Sequence, residues 1–99
     1  MFPKALGQYV MSYDINLSWR EIPAAATTPK GSFVKKDGSL STAGTASSFY
    51  GLHVGEGRVF YALCVLNAHG VAWPEGITDT QQQAVIEQLE KNHVVVRGM

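Results

Sequence analysis

Residues 58–66 are apolar at almost every position, and no other stretch limits the possible folds so tightly. In a strand through this run, Val59, Tyr61, Leu63 and Val65 would line one face and Phe60, Ala62, Cys64 and Leu66 the other. Successive side chains of a strand point to opposite faces, so a strand apolar on both must have both covered. The run is therefore expected as one central strand. It leads through Gly70-Val71-Ala72-Trp73-Pro74-Glu75-Gly76 to a helix start. Thr78 and Gln81 have the spacing of a capping box, in which the hydroxyl and the amide each satisfy a free backbone N–H. The segment up to Lys91 is rich in good helix formers, with Asp79 early and Lys91 late, as the macrodipole favours. Val85, Ile86 and Leu89, with Ala84 beside them, form a narrow apolar stripe. Asn92 is expected to end the helix in the left-handed conformation, and residues 93–96 to form a closing strand.

Upstream, the body is expected to begin at Gly31. Residues 32–36 precede Asp37-Gly38, a dipeptide that suits both centres of a type I′ hairpin turn. Residues 39–48 are mostly Ser, Thr, Ala and Gly, which predicts a loop or a weakly specified strand. Residues 49–54 read as a strand in which Gly51 permits close backbone approach or a bulge, and Gly55-Glu56-Gly57 turns the chain. These elements make the fold class α+β and mainly β, with one short C-terminal helix.

The first thirty residues have a different character. Tyr9, Met11, Tyr13, Ile15, Leu17 and Trp19 occupy alternate positions, with Ser12, Asp14, Asn16 and Ser18 between them, the period of a strand with one apolar face. Pro23, the alanine run 24–26, Thr27, Thr28 and Pro29 read as an extended linker. The expected organisation is an N-terminal arm and linker over 1–30 and a β domain over 31–99. Met11 is a plausible alternative start, which would leave residues 1–10 with little structural duty. The arm's apolar face either folds back on its own domain or adds to a neighbour's sheet edge.

A chain of 99 residues fits one domain and buries only about 60–65 % of its extended surface on folding. Its 45 % hydrophobic and 16 % charged content exceeds the apolar need of a small isolated core, which points to burial against other subunits. Eight basic and eight acidic residues give a net charge of zero, so no field gathers phosphates and nucleic acid is a poor partner. Lys30, Lys35 and Lys36 form a small basic cluster at a solvated hairpin end. Cys64, the single cysteine, lies inside the apolar run and reads as a small buried hydrophobe. No stretch approaches the roughly 20 apolar residues of a membrane span, and the expectation is a soluble protein made in a reducing compartment. His53, His69 and His93 are scattered without metal-ligand spacing. Glu75, Asp79, Glu87 and Glu90 fit a solvated helix region. No nucleophile–base pair or metal triad is visible, so the reading is of a binding protein without enzymatic activity, cofactor, metal or small-molecule substrate. Trp73 beside Pro74 is either a core filler or a contact anchor.

The Asp37-Gly38 hairpin, the small-residue stretch, Gly51-Leu52, the apolar run ending near Gly70-Val71, the Trp73-Pro74 step, Ile77-Thr78-Asp79 and the final valines together carry a likeness. Over residues 31–97 the chain resembles the head decoration, or capsid-cementing, proteins of lambda-like tailed bacteriophages. The resemblance implies a small mixed-sheet, barrel-like domain with one short helix. It further implies a homotrimer on the outer surface of the virion, above three-fold positions of the major capsid protein, and synthesis in the host cytoplasm. In that family an N-terminal arm orders by pairing with capsid strands. Tyr9, Tyr13, Ile15, Leu17, Trp19 and Ile22 are this chain's counterparts for that arm, and Phe60, Ala62, Leu66, Trp73 and Pro74 are expected at the subunit interface. The arm is longer and more aromatic than the group's pattern, which leaves open packing within the trimer or a place in a head-fibre base. A small host-takeover inhibitor or regulator is the alternative reading.

Overall fold

The computed structural model describes residues 6–98. Its chain forms two sheets and one long helix, consistent with an α+β, mainly β fold. In chain order the elements are a single helical turn α1 (Leu6–Tyr9) and strands β1 (Val10–Ser12), β2 (Trp19–Glu21), β3 (Phe33–Val34), β4 (Gly51–Gly55), β5 (Arg58–Phe60) and β6 (Cys64–Asn67). Helix α2 (Asp79–Glu90) and strand β7 (Val94–Arg97) complete the fold. One sheet has the order β1-β6-β7 and the other β2-β5-β4-β3. The first is mixed, with β6 antiparallel to β1 and parallel to β7; the second is antiparallel throughout.

The 58–66 run is not one strand. It breaks at residues 61–63, where Leu63 takes a positive φ of 50° and stands exposed, and its two halves enter different sheets. Each half is still central in its sheet, which keeps the physical reason for its apolar character. Val59 and Phe60 show this within β5. Phe60 lies in the main core with Leu52, Val54, Cys64, Leu66, Val85 and Leu89, while Val59 packs in a second cluster with Ile22, Ala25 and Val34. The four-stranded sheet is thus covered on both faces: one by the other sheet and α2, one by residues 22–25.

Residues 10–28 are neither one strand nor a spacer. Val10–Ser12 is an edge strand on β6 and Trp19–Glu21 an edge strand on β5, joined by a turn through residues 13–18. Val10 is buried, against the expectation that the first ten residues have little duty; residues 1–5 lie outside those described. The chain passes so close to Gly70 that a Cβ there would overlap the Gln8 carbonyl. The proline and alanines expected as a linker form a 3₁₀ turn over Pro23–Thr27, with Ala25 fully buried. Proline fits the first position of such a turn, where its missing N–H costs nothing.

Two turn assignments also shift. The 35–39 turn is closed by Gly38 N–H donating to Lys35 O at 2.9 Å and Lys35 N–H to Ser39 O at 2.7 Å. Gly38 has a φ of 94°, whereas Asp37 has no positive φ, so the turn is not type I′. Helix α2 starts at Thr78 with the full capping box, and its inner face buries Val85 and Leu89. At its other end His93, not Asn92, takes the left-handed conformation at φ 60°. Ala84, beside the apolar stripe, is exposed.

Candidate interaction surface

Among the described residues, five of the seven large exposed apolar side chains lie in β1, the turn that follows it and the 61–63 break. Met11 is 59 % exposed, Tyr13 38 %, Ile15 45 % and Leu17 57 %, and Leu63, whose carbonyl accepts from Ser18 Oγ at the end of the turn, is 45 % exposed. Leu40 and Val95 are exposed elsewhere on the chain.

Local hydrogen bonds hold this turn in one shape. Asp14 Oδ1 accepts from the N–H groups of Asn16 at 2.8 Å and Leu17 at 3.1 Å, and the Asp14 carbonyl accepts from Ser18 N–H at 3.0 Å. This is the Asx-type turn that a short carboxylate side chain favours. Ser18 is fully buried and bonds in three directions. Its hydroxyl accepts from Asp14 N–H at 2.7 Å and donates to Leu63 O at 2.9 Å, and its carbonyl accepts from Tyr61 N–H at 2.9 Å. Trp19 Nε1–H donates to Ile15 O at 2.8 Å, and the Tyr13 ring meets Phe60 edge-on at a centroid distance of 5.2 Å. The loop is therefore fastened to the 61–63 break, and its apolar side chains are displayed from a fixed backbone.

The residues expected in a capsid-binding arm divide. Tyr13, Ile15 and Leu17 lie on this surface; Tyr9 and Trp19 are half-buried against the main core; Ile22 is buried in the second cluster. The residues expected at a subunit interface divide as well. Phe60 and Leu66 have 0 % exposure within their own chain, so they have no surface to offer another copy. Ala62, Trp73 and Pro74 are half-buried. Trp73 packs on Phe33 at a centroid distance of 5.0 Å and donates Nε1–H to Ala68 O at 3.2 Å. It thereby fills the core from one side and leaves an edge at the surface. That edge lines an open cavity of about 320 Å³ with Leu40, Ser41, Pro74 and Glu75.

Sequence reasoning did not single out the exposed side chains of Met11 and Leu63. Met11 belongs to the alternation that singled out its neighbours, but Leu63 had no local signal, because its exposure follows from the break in the 58–66 run.

Other groups that could carry chemistry have structural partners. Cys64 is buried, and burial pushes its thiol up to about 12, so it carries no thiolate near neutrality. Asp37 is held below the usual carboxylate range by hydrogen bonds from the Ser39 hydroxyl and N–H, with Lys35 adding a favourable charge. Among the described residues no three His, Cys, Asp or Glu side chains form a metal-binding group, and no helix is long and apolar enough to cross a membrane. No family model, curated protein or solved structure matches the chain.

Proposed function

We propose that this chain is a structural binding protein that cements the outer surface of a tailed-phage head, acting as a homotrimer at three-fold positions of the major capsid protein. The observation that carries a docking role is the fastened apolar turn: Tyr13, Ile15 and Leu17 are exposed on a loop held by Asp14 and Ser18, with Met11 of β1 and Leu63 of the 61–63 break exposed as well. The sequence likeness over residues 31–97 supports the capsid as the surface that it docks on.

Full burial of an exposed apolar side chain contributes about 1.5–3 kcal/mol, and side chains that start about half exposed can gain at most about half of that on docking. A loop already fixed loses little conformational freedom when it docks, so more of that gain remains as affinity. Three-fold repetition joins three modest contacts into one attachment, because the second and third engage at high effective concentration. The work is mechanical and needs no catalytic group, cofactor, nucleic acid or membrane. In this reading the protein is made in the host cytoplasm and ends on the outside of the virion.

Co-sedimentation of the purified chain with expanded, undecorated heads tests this reading, with mass in solution measured beside it. A trimer that pellets with heads is expected. A stable monomer that stays in the supernatant would overturn it and favour a small inhibitor or regulator.

A further inference from the structure

His53 is a buried imidazole, 2 % exposed, with both ring nitrogens engaged. Nε2 accepts from Gly57 N–H at 3.0 Å, which requires a lone pair there. In the neutral ring the proton is then on Nδ1, which lies 3.2 Å from Thr28 Oγ1 and 3.4 Å from Pro29 O. Thr28 Oγ1–H in turn donates to Ala25 O at 2.8 Å, so the hydroxyl is free to accept from the ring. One directed chain of bonds thus runs from the 55–57 turn through the imidazole to the carbonyl of Ala25, the buried residue of the 3₁₀ turn.

Backbone bonds join the same two segments. His53 O accepts from Gly31 N–H at 2.7 Å, His53 N–H donates to Ser32 O at 2.9 Å, and Ile22 N–H donates to Gly57 O at 2.7 Å. His53 stands opposite Val59 in the register of β4 and β5, and Val59 packs with Ile22 and Ala25. The imidazole adds a side-chain link to the backbone bonds that join residues 22–32 to the β4–β5 hairpin.

We propose that His53 is an acid-released clasp: the neutral ring ties residues 22–32 to the β4–β5 hairpin, and a second ring proton, placed on Nε2 against Gly57 N–H, sets two donors facing each other and frees that segment. The segment that lifts uncovers the Val59 and Val34 face, so the acid form displays apolar surface hidden at neutral pH.

The surrounding charges favour release. Lys30, on the freed segment, runs its aliphatic stem over Gly55 and brings a positive charge toward the ring. Glu56 and Arg58, on the turn and β5, are occupied with each other at 3.0 Å, and Glu21 of β2 stands opposite Arg58. The 3₁₀ turn 23–27 and the β3 pair 33–34 contribute no titratable side chain. Burial, with Lys30 adding to it, holds the His53 pKa below its ordinary value of 6.5 against the opposing pull of the Pro29 and Thr28 bonds. A group whose charged form is disfavoured in the folded state binds more protons when opened. The clasp is therefore fully closed above 6.5 and loosens as pH falls from there to the folded-state value, below which the effect is constant.

Amide hydrogen exchange on the full chain tests the clasp between about pH 7.5 and about pH 5, with rates divided by their intrinsic values. Protection at Ile22, Ala25, Thr28 and Gly57 should fall by about tenfold per pH unit inside the window, while Leu89 in α2 keeps its protection. In His53→Gln the amide can accept from Gly57 and donate to Thr28 but gains no proton, and its protection should not depend on pH. Equal protection at both ends of the range in the wild type, or the same pH dependence in His53→Gln, would overturn the proposal. Should the variant not fold, the ring ¹⁵N shifts of wild-type His53 decide: a proton on Nδ1 at neutral pH is required, and one on Nε2 overturns it.

Discussion

The buried hydroxyl of Ser18 donates to the carbonyl of Leu63 across 2.9 Å, joining two residues 45 positions apart. This bond ties the apolar turn after β1 to the point where the chain passes from one sheet to the other. It works beside the bond from Tyr61 N–H to the Ser18 carbonyl and the Tyr13–Phe60 ring contact, which hold the same loop to β5 and the residues after it.

Ser18→Ala should destabilise the protein by about 1–3 kcal/mol, because it leaves Asp14 N–H and Leu63 O without the hydroxyl that served both. Urea unfolding gives the size of the loss. Exchange at Asp14 and Leu17 amides shows whether the turn loosens first.

Charge placed on the displayed face should act on binding and not on folding. Ile15→Asp and Leu17→Asp are expected to change stability by no more than about 0.5 kcal/mol, since both side chains are exposed, and to abolish pelleting with heads. These substitutions are the informative variants. Removal of residues 1–22 would strip an edge strand from each sheet and take Ile22 from the second core.

Leu63 holds a positive φ without being glycine. Leu63→Gly should leave stability unchanged or raise it by up to about 1 kcal/mol, whereas Leu63→Val, branched at Cβ, should lower it by about 1–2 kcal/mol. Paired thermal melts of the two variants measure the difference and its sign.

Gly51 of β4 has no room for a side chain beside β5. A Cβ there would stand 2.6 Å from Phe60 O and 2.6 Å from Val59 Cγ1, and the first of these is backbone that cannot turn aside. Gly51→Ala should cost about 1–3 kcal/mol through displacement of the two strands, read from the denaturation midpoint.

Cys64 should resist thiol reagents near pH 8 in the folded protein and react at once in denaturant, because a thiol pushed up to about 12 holds almost no thiolate and is shielded by the core. Labelling followed by mass measures both rates. Fast labelling of the native protein would contradict its position in β6.

The features legible in the sequence are those whose causes lie within a few residues. The Thr78–Gln81 box needs only two side chains three positions apart, and both of its bonds are present, at 2.9 Å and 3.2 Å. The close approach at Gly51 and the turn at 55–57 also came from single residue types with a local meaning. The alternation at 9–19 misled, because a period of two records only which residues are apolar. It carries no information on Asp14, whose carboxylate folds the backbone into a turn and splits the run into β1 and β2.

What the sequence determined by itself is the material of the fold: a buried double-faced run, a capped helix, closing valines and an apolar excess near the N-terminus. The tertiary structure decided how these are divided. It placed the halves of 58–66 in separate sheets, returned residues 10–28 onto the body, and chose which apolar side chains are covered and which displayed. The reason is that those outcomes depend on bonds between distant positions, Ser18 with Leu63 and Thr28 with His53, separated by 45 and 25 residues. Such pairs are joined by the packing of the whole chain, and no local pattern encodes them.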